Sequence, residues 1–244
     1  MLPFRKTALV LLYLIGTLVQ ECFAQQEELV QYARRGSLIV FYGDSITKRG
    51  DDSGGWIKII RERLARDLGR RDLRLVNAGQ CGATAEDLAA MLQGEFPQRP
   101  QAAVVCIGVN DVRFRGRGDP WSLTGYTDAL ADIVDRLRRT GAEVIVMPPL
   151  LYGEGPRGSN SRDRELDAYA HAAALVAEKC GVRFVDARSA FFLNLEQTVA
   201  SNGRRDALTV DGLHLSPAGN RVLADVVYSQ LLSFLPATKG RSAN

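Results

Sequence analysis

Five short apolar runs divide the chain and predict buried β-strands. Each run is almost continuously apolar, without alternating polar side chains, which is typical of strands in a parallel sheet covered on both faces. Such a sheet needs helices on either side, and the segments between the runs are long enough to form them. The predicted strands are residues 38–42, 73–76, 102–107, 144–147 and 182–185.

Segments with helical periodicity lie between and after these runs. Their apolar residues recur three or four positions apart and so form one stripe along a helix. A glycine, which favours helix ends, follows each of the first three stripes. The stripes are Trp56, Ile60 and Leu64; Leu130, Ile133, Val134 and Leu137; Leu166, Tyr169, Ala170, Ala173 and Ala177; and Leu223, Val226, Val227 and Leu231.

Two further helix starts are marked by capping residues. Thr84 is followed three residues later by Asp87, which predicts a short capped helix after Thr84. Ser216 precedes Pro217, a combination that favours an N-cap followed by the first helical residue. The last predicted helix therefore begins at Pro217.

The alternation of strands and helices predicts an α/β fold. Right-handed crossovers favour a single doubly wound sheet of five parallel strands in the flavodoxin-like order 2-1-3-4-5. Ligands of such sheets bind beyond the carboxyl ends of the strands. Ser45, Gly79 and Asn110 follow the first three predicted strands, and the segment from Asp211 to His214 precedes the last helix. We therefore expect these residues at one edge of the sheet.

The composition is that of an ordinary globular protein. The 244 residues are 46% hydrophobic and 24% charged, and neither a linker nor a repeat divides them, which favours one domain. The net charge of +3 balances 31 basic against 28 acidic residues. This balance, without a zinc-finger or aromatic RNA-binding signature, argues against a nucleic-acid partner.

The N-terminal residues have the pattern of an export signal. Arg5 and Lys6 precede an apolar segment at residues 8–19, which is short for a membrane span. Small residues at Cys22 and Ala24 favour cleavage after Ala24, with an uncleaved membrane anchor as the alternative. We expect an exported protein, periplasmic or secreted. The expected divisions are a signal peptide at 1–24, an extension at 25–36, the domain at 37–236 and a tail at 237–244.

The cysteines and histidines lack metal-binding spacing. Removal of Cys22 leaves Cys81, Cys106 and Cys180, an odd number that predicts no disulfide framework. Cys106 lies in a predicted buried strand, where a free thiol acts as a small apolar side chain. We therefore expect neither a metal nor another cofactor.

A serine near one end of the chain and an Asp–His pair near the other are the groups that nucleophilic ester hydrolysis requires. Ser45 follows the first predicted strand, and Asp211 precedes His214 by three positions. A serine hydroxyl is a weak nucleophile, and imidazole suits the task of accepting its proton. A carboxylate holds the imidazole in the productive tautomer. Ser45, His214 and Asp211 can fill these roles.

The same sheet edge offers donors for a developing oxyanion. The candidates are the backbone N–H groups of Ser45 and Gly79 and the side-chain amide of Asn110. Glycine at position 79 leaves space for a close approach between backbone and substrate. The combination predicts an oxyanion hole beside the serine.

Four sequence blocks resemble those of the SGNH (GDSL) hydrolase superfamily. They are Gly43-Asp44-Ser45-Ile46-Thr47, Asn77-Ala78-Gly79, Gly108-Val109-Asn110-Asp111 and Asp211-Gly212-Leu213-His214, in the family's order. The resemblance implies an SGNH-type serine esterase with Ser45 as nucleophile and His214 as base, oriented by Asp211. It also implies oxyanion donors at Ser45, Gly79 and Asn110. Ile46 stands where the family name has leucine, which leaves every role intact.

Other polar residues near these blocks are interpreted as structural. Asp44 and Asp111 accept loop amides in this interpretation, and Asn77 is a turn residue. His171 lies one helical turn from Asp167 on a predicted helix and is interpreted as a partly exposed helix residue.

Two loops at the same edge are candidates for substrate selection. Arginines with a tryptophan suit a sugar or an acidic acyl group, and a solvated loop is the alternative interpretation. No extended apolar lid helix is evident, which favours short acyl esters. The loops are residues 111–122, with Arg113, Arg115, Arg117 and Trp121, and residues 148–163, with Tyr152 and Arg157.

The sequence thus predicts a serine esterase for short-chain acyl or acetylated carbohydrate esters, with a small-molecule or carbohydrate ester as partner. Lysophospholipase, thioesterase and arylesterase activities stay open, as does acyl transfer to a sugar. A non-catalytic binding module of the same fold would carry a damaged triad, and a flavin or nucleotide binder would need a glycine-rich phosphate loop. The chain shows neither feature. The sequence does not predict the oligomeric state.

Overall fold

The computed structural model describes residues 38–69, 73–94, 99–114, 120–204 and 207–233. The predicted signal peptide, N-terminal extension and C-terminal tail lie outside these ranges. Within them, no helix combines the length and the apolar character that a membrane span requires.

Within the described residues, five strands form one sheet in which every neighbouring pair is parallel. The order β2-β1-β3-β4-β5 confirms the predicted doubly wound arrangement. The first and third strands are buried along their whole length, as their continuous apolar character predicts. The strands are β1 (Leu38–Gly43), β2 (Arg74–Gly79), β3 (Ala102–Cys106), β4 (Glu143–Met147) and β5 (Arg183–Phe184).

Helices connect the strands and cover the sheet. Within the described ranges the α-helices are α1 (Ser45–Lys48), α2 (Trp56–Asp67), α3 (Ala85–Met91), α4 (Val109–Phe114), α5 (Pro120–Arg139), α6 (Asp163–Cys180), α7 (Ala187–Asn202) and α8 (Pro217–Leu232), and a 3-10 turn at Arg49–Asp51 follows α1. Helix α8 packs against α2 and α7, whereas α5 packs against α3 and α6. Right-handed crossovers place two such groups on opposite faces of the sheet.

Both predicted helix caps are confirmed. Thr84 and Asp87 form a reciprocal capping box at the start of α3. The Ser216 hydroxyl accepts hydrogen bonds from the N–H groups of Ala218 and Gly219, and Pro217 is the first residue of α8. The cap at Ser216 fixes where the loop before α8 ends.

Trp56 connects β1 and the residues that follow it to the last helix, α8. Its side chain is fully buried and packs edge-on against Phe41 of β1, with ring centroids 5.2 Å apart. Its indole N–H donates to the carbonyl oxygen of Ile46 at 3.2 Å, and its backbone N–H donates to Asn220 Oδ1 of α8 at 3.0 Å. Trp56 therefore fixes α8 relative to the residues that follow β1.

The carboxyl end of β1 is closely packed. Gly43 is in register with Gly79 of β2 and Cys106 of β3. A Cβ atom at Gly43 would lie 2.3 Å from the carbonyl oxygen of Cys106, so only glycine fits there. The chain can therefore turn from β1 into α1 at the carboxyl end of the sheet, where β1 lies between β2 and β3.

Some elements differ from the predictions. Helix α7 was not predicted, and β5 has two residues where four were expected. Helix α4 reaches Phe114 and α5 begins at Pro120, so that much of the expected loop at 111–122 is helical.

Candidate active site

Ser45 is the first residue of α1 and lies at the carboxyl edge of the sheet. The preceding residue, Asp44, caps the helix by accepting a hydrogen bond from the N–H of Ile46 at 2.8 Å. This cap turns the chain sharply from strand to helix. The Oγ atom of Ser45 lies 3.0 Å from Nε2 of His214, although 169 positions separate the two residues in the sequence.

Asp211 holds the other side of the His214 ring. Its Oδ2 lies 2.7 Å from Nδ1 of His214, and its Oδ1 accepts the N–H groups of Leu213 at 3.0 Å and His214 at 2.7 Å. Burial alone would raise the Asp211 pKa, but the hydrogen bonds from the His214 ring and these N–H groups lower it to about 2. An ionised Asp211 favours the tautomer protonated on Nδ1, which leaves Nε2 free to accept a proton from Ser45.

Asn110 lies near the start of α4 and is 2% exposed. Its Nδ2 donates to the carbonyl oxygen of Ala83 at 3.0 Å. A carboxamide nitrogen carries two hydrogens, so this bond fixes the plane of the amide and leaves the second hydrogen for another acceptor.

The backbone N–H of Gly79, a predicted oxyanion donor, has a partner within the protein. Its N–H already donates to Oδ1 of Asn77 at 2.9 Å, so this donor has an internal acceptor. A Cβ atom at position 79 would lie 2.3 Å from the backbone nitrogen of Lys48. Glycine at this position therefore allows β2 and α1 to approach each other. The close approach expected between Gly79 and a substrate is a contact within the protein.

The side chain of Asn77 also joins the end of β2 to α1. Its Nδ2 donates to the carbonyl oxygens of Thr47 at 2.8 Å and Lys48 at 3.0 Å, while its Oδ1 accepts from Gly79. Asn77 thus ties the end of β2 to α1, a more specific role than that of a turn residue.

Gly82 has a backbone N–H that was not among the predicted oxyanion donors. It lies in the loop between β2 and α3 with a φ of 78°, and within the described residues its N–H has no hydrogen-bond acceptor. The carbonyl oxygen of the next residue, Ala83, accepts a hydrogen bond from Asn110 Nδ2, so Gly82 precedes the residue that binds the Asn110 amide. The second glycine of Gly79-Gln80-Cys81-Gly82 was the available sequence signal.

Two buried carboxylates lie behind these residues. Burial, together with the negative charge of Asp111, raises the Asp44 pKa to about 7 against the opposing hydrogen bond from Ile46. Asp111 is fully buried and accepts the N–H of Ala85 with its two oxygens at 3.1 and 3.2 Å. Both side chains bind amides at helix starts, in agreement with the structural interpretation.

A cleft of about 380 Å³ opens beside His214. Its walls come from α4, from residues 148–162, here called the β4–α6 loop, and from residues 207–216, here called the His214 loop. Most of the lining side chains end in polar groups, which favours a polar ligand. The lining residues are Arg113, Tyr152, Gly153, Asn160, Ser161, Asp211, Gly212, Leu213 and His214.

Only some of the residues expected to select substrate lie at the cleft. Arg113 and Tyr152 line the cleft. Arg157 instead contacts Asp167 at 3.1 Å and lies over the Phe192 ring, 5.4 Å from its centroid, so it orders the β4–α6 loop from outside. Outside the described residues are Arg115, Arg117 and the side chain of Trp121.

The remaining titratable candidates lie apart from this arrangement. His171 is exposed on α6, and Cys81, Cys106 and Cys180 are free thiols, of which Cys106 is buried. Within the described part of the chain, no three His, Cys, Asp or Glu side chains form a group that could hold a metal ion. Since His171 lies apart, His214 is the histidine that faces Ser45.

Known sequences resemble this chain over most of its length. The model of the GDSL-like Lipase/Acylhydrolase family matches residues 41–222, a range that contains every candidate site residue. A GDSL esterase/lipase of Arabidopsis thaliana is 28% identical over 212 residues, covering 78% of this chain and 83% of that protein. The isoamyl acetate-hydrolyzing esterase 1 homolog of Mus musculus is 26% identical over 206 residues, covering 76% and 77%.

Solved structures of esterases share the fold. The acetyl xylan esterase AlAXEase superposes with a TM-score of 0.73 and 26% identity, covering 80% of this chain and 99% of that one. The acetylxylan esterase Axe2 of Geobacillus stearothermophilus has a TM-score of 0.67 and 25% identity, covering 85% and 98%.

Proposed function

Because the chain belongs to the GDSL-like Lipase/Acylhydrolase family and hydrolyses ester bonds, we propose that it removes short acyl groups, acetyl foremost, from carbohydrates and other small alcohols. The observation that carries the proposal is the hydrogen-bonded series of Ser45, His214 and Asp211. The Ser45 Oγ lies 3.0 Å from His214 Nε2, and His214 Nδ1 lies 2.7 Å from Asp211. A serine needs this arrangement to lose its proton as it attacks a carbonyl carbon.

The first half of the proposed reaction acylates Ser45. Its Oγ forms a bond to the ester carbonyl carbon while His214 Nε2 takes the hydroxyl proton. The resulting imidazolium is stabilised by the ionised Asp211. The tetrahedral intermediate collapses as the bond to the alcohol oxygen breaks, and His214 returns the proton to that oxygen. The alcohol leaves, and the acyl group stays on Ser45.

The second half releases the acid. His214 accepts a proton from a water molecule whose oxygen attacks the acyl carbon. Collapse of the second tetrahedral intermediate breaks the bond to Ser45, and His214 gives the proton back to the serine oxygen. The enzyme is thereby restored to its starting protonation state.

The oxyanion in both intermediates needs donors that are free of other partners. The second amide hydrogen of Asn110 and the N–H of Gly82 meet this requirement, and the backbone N–H of Ser45 is the third proposed donor. Gly79 is a weaker candidate because Asn77 accepts its N–H.

Acetylated substrates are favoured by the cleft and by the relatives. About 380 Å³ with mostly polar lining suits a short acyl group on a polar alcohol better than a long acyl chain. The names of the relatives include acetyl xylan and isoamyl acetate, two acetyl esters.

The proposal is tested with p-nitrophenyl esters of increasing acyl length and with acetylated xylo-oligosaccharides. We expect kcat/KM to be highest for acetate and to fall as the acyl chain lengthens. Ser45→Ala serves as the control and should lower kcat by roughly 10³-fold or more while the protein stays folded. A preference for long acyl chains, or near wild-type kcat in Ser45→Ala, would refute the proposal.

Export remains a proposal that rests on residues 1–24 alone. N-terminal sequencing of protein recovered from outside the cytoplasm tests it, and a mature chain beginning at Gln25 is the expected result. Recovery of uncleaved protein from membranes would instead support the anchored alternative.

A further inference from the structure

Glu154 of the β4–α6 loop collects hydrogen bonds from the opposite loop. Its partly buried carboxylate accepts the backbone N–H groups of Ala207 at 2.9 Å, Leu208 at 3.0 Å and Thr209 at 2.6 Å, and it also accepts the Thr209 hydroxyl. An ionised carboxylate has enough lone pairs for all of these donors, and bonds to an ionised acceptor are stronger than bonds between neutral groups. One side chain thus orders three consecutive residues of the His214 loop.

Two further bonds carry this order to the catalytic pair. The Thr209 hydroxyl oxygen accepts the N–H of Gly212 at 3.2 Å, and the carbonyl oxygen of Gly212 accepts the N–H of Gly153 at 2.7 Å. Gly212 directly follows Asp211 and has a φ of 84°, a left-handed conformation that favours glycine. Glu154 and its neighbour Gly153 therefore hold the turn that carries Asp211 and His214.

The segment that carries Glu154 is itself firmly anchored. Asn160 Oδ1 accepts the N–H of Gly155 at 2.7 Å, and Asn160 Nδ2 donates to Asp163 at 2.8 Å. Asp163 pairs with Arg188 at 2.9 Å, and both side chains are no more than 1% exposed. These bonds therefore hold in place the loop segment that carries the Glu154 carboxylate.

We propose that Glu154 is a positioning residue for ester hydrolysis, whose carboxylate keeps His214 where its Nε2 can accept the Ser45 proton. This inference rests on the serine mechanism proposed above. Among the described residues, the His214 loop has one isolated β-bridge, Thr209 with Leu215, and no strand ladder. Its N–H groups at 207–209 need acceptors from elsewhere, and Glu154 supplies them. Displacement of His214 slows proton transfer because the transfer requires hydrogen-bond distance.

Glu154→Gln is the direct test. The amide keeps the shape of the side chain but replaces one acceptor oxygen with an NH₂ group that faces N–H donors. We measure kcat and KM on p-nitrophenyl acetate, and we count competent sites by titrating Ser45 to completion with diethyl p-nitrophenyl phosphate. The expected result is a roughly 10- to 100-fold lower kcat per titrated site with KM nearly unchanged. A merely structural role would lower the melting temperature or the number of sites and leave kcat per site unchanged.

Thr209 provides a second variant pair. Thr209→Val removes the hydroxyl that links Glu154 to Gly212 while it keeps the side-chain shape, and Thr209→Ser retains the hydroxyl. We expect a smaller loss of kcat per site in the valine variant and recovery in the serine variant. Glu143→Gln makes the same chemical change at an exposed position at the opposite end of β4 and should keep wild-type kcat.

The outcomes separate this inference from the proposed function. A wild-type protein that neither hydrolyses the acetate nor reacts with the phosphate ester refutes the serine mechanism itself. A wild-type protein that does both, with full kcat per site in Glu154→Gln and Thr209→Val, overturns the role of Glu154 alone. If Glu154→Gln does not fold, equal kcat in the valine and serine variants of Thr209 overturns it.

Discussion

The two histidines of the chain differ in their surroundings, which gives the site an internal control at the residue scale. His214 lies between Ser45 and Asp211, whereas His171 is exposed on α6. We expect His214→Gln to lose roughly 10³-fold or more in kcat, because glutamine cannot accept the Ser45 proton. His171→Gln should keep most of the activity. The measurement is kcat on p-nitrophenyl acetate for both folded variants, and the reverse pattern would contradict the assignment.

Asn110 is predicted to act on the transition state more than on substrate binding. Its amide is buried and oriented by its bond to Ala83. Asn110→Ala should lower kcat by roughly 10²–10³-fold with little change in KM. Both constants are measured on one activated ester, with the melting temperature as a check on the lost bond to Ala83. A change confined to KM would instead make Asn110 a substrate-binding residue.

The buried Asp44 predicts an unusual dependence of stability on pH. Its pKa is raised to about 7, so between about pH 4 and 7 the unfolded chain is ionised while the folded protein keeps the proton. The free energy of unfolding therefore falls as the pH rises from about 4 to about 7, and the loss is complete above pH 7. Asp211, with its pKa lowered to about 2, acts in the opposite direction and only between about pH 4 and 2.

Asp44→Asn should remove the loss at neutral pH, because asparagine keeps an acceptor for the Ile46 N–H. We expect the variant to melt a few degrees above the wild type at pH 8 and to show less difference at pH 5. Thermal unfolding of both proteins at the two pH values measures this. An equal fall in melting temperature from pH 5 to pH 8 in both proteins would contradict the raised pKa.

At the residue scale, sequence blocks identify which side chains meet but not which donors are already bonded. The order of the blocks predicted that Ser45, Asp211 and His214 come together. Gly79 is the last residue of β2 and Gly82 follows three residues later, and only their hydrogen bonds separate a glycine needed for packing from one with a free N–H. Such a distinction depends on contacts with residues distant in the sequence, and spacing does not contain it.

At the scale of elements, periodicity was informative wherever one face of an element is buried. The helices with a single apolar stripe were predictable for that reason, whereas the strands were predictable from continuous apolar runs, because both faces of the sheet are covered. Helix α7 was not, because its apolar residues surround the helix: Phe191 is buried while Leu193, two residues later, is 55% exposed. The short helices α1 and α4 are set by caps and tertiary contacts, which a window of periodic residues cannot detect.

The β4–α6 loop is an element whose order depends on a buried ion pair. Arg188 is fully buried and bonds to Asp163 at 2.9 Å and to Asp167 at 2.8 Å. Arg188→Ala should lower the free energy of unfolding by about 3–5 kcal/mol, because it leaves a buried carboxylate unpaired. Arg157→Ala is the matched control, since its pair with Asp167 is largely exposed, and should cost about 0–1 kcal/mol. Urea unfolding measures both, and equal losses would contradict the argument.

At the scale of the whole molecule, the order of the sheet decides which residues can meet. That order followed from the continuous strands and the handedness of their connections, and the structure confirms it. The 3.0 Å contact between Ser45 and His214 could not be derived from spacing. It needs α8 to pack on α2, and the bond between Asn220 and Trp56 that helps fix this packing has no sequence signature.

The distance between Ser45 and His214 along the chain also determines when activity can arise during synthesis and folding. A chain still being synthesised contains Ser45 long before His214, which lies 169 positions later, has been added. Even then the base is out of reach until α8 docks beside α2. Under the proposed serine mechanism, a chain in which α8 has not docked lacks the base that Ser45 needs. In a refolding experiment, the return of activity would report the docking of the C-terminal helix.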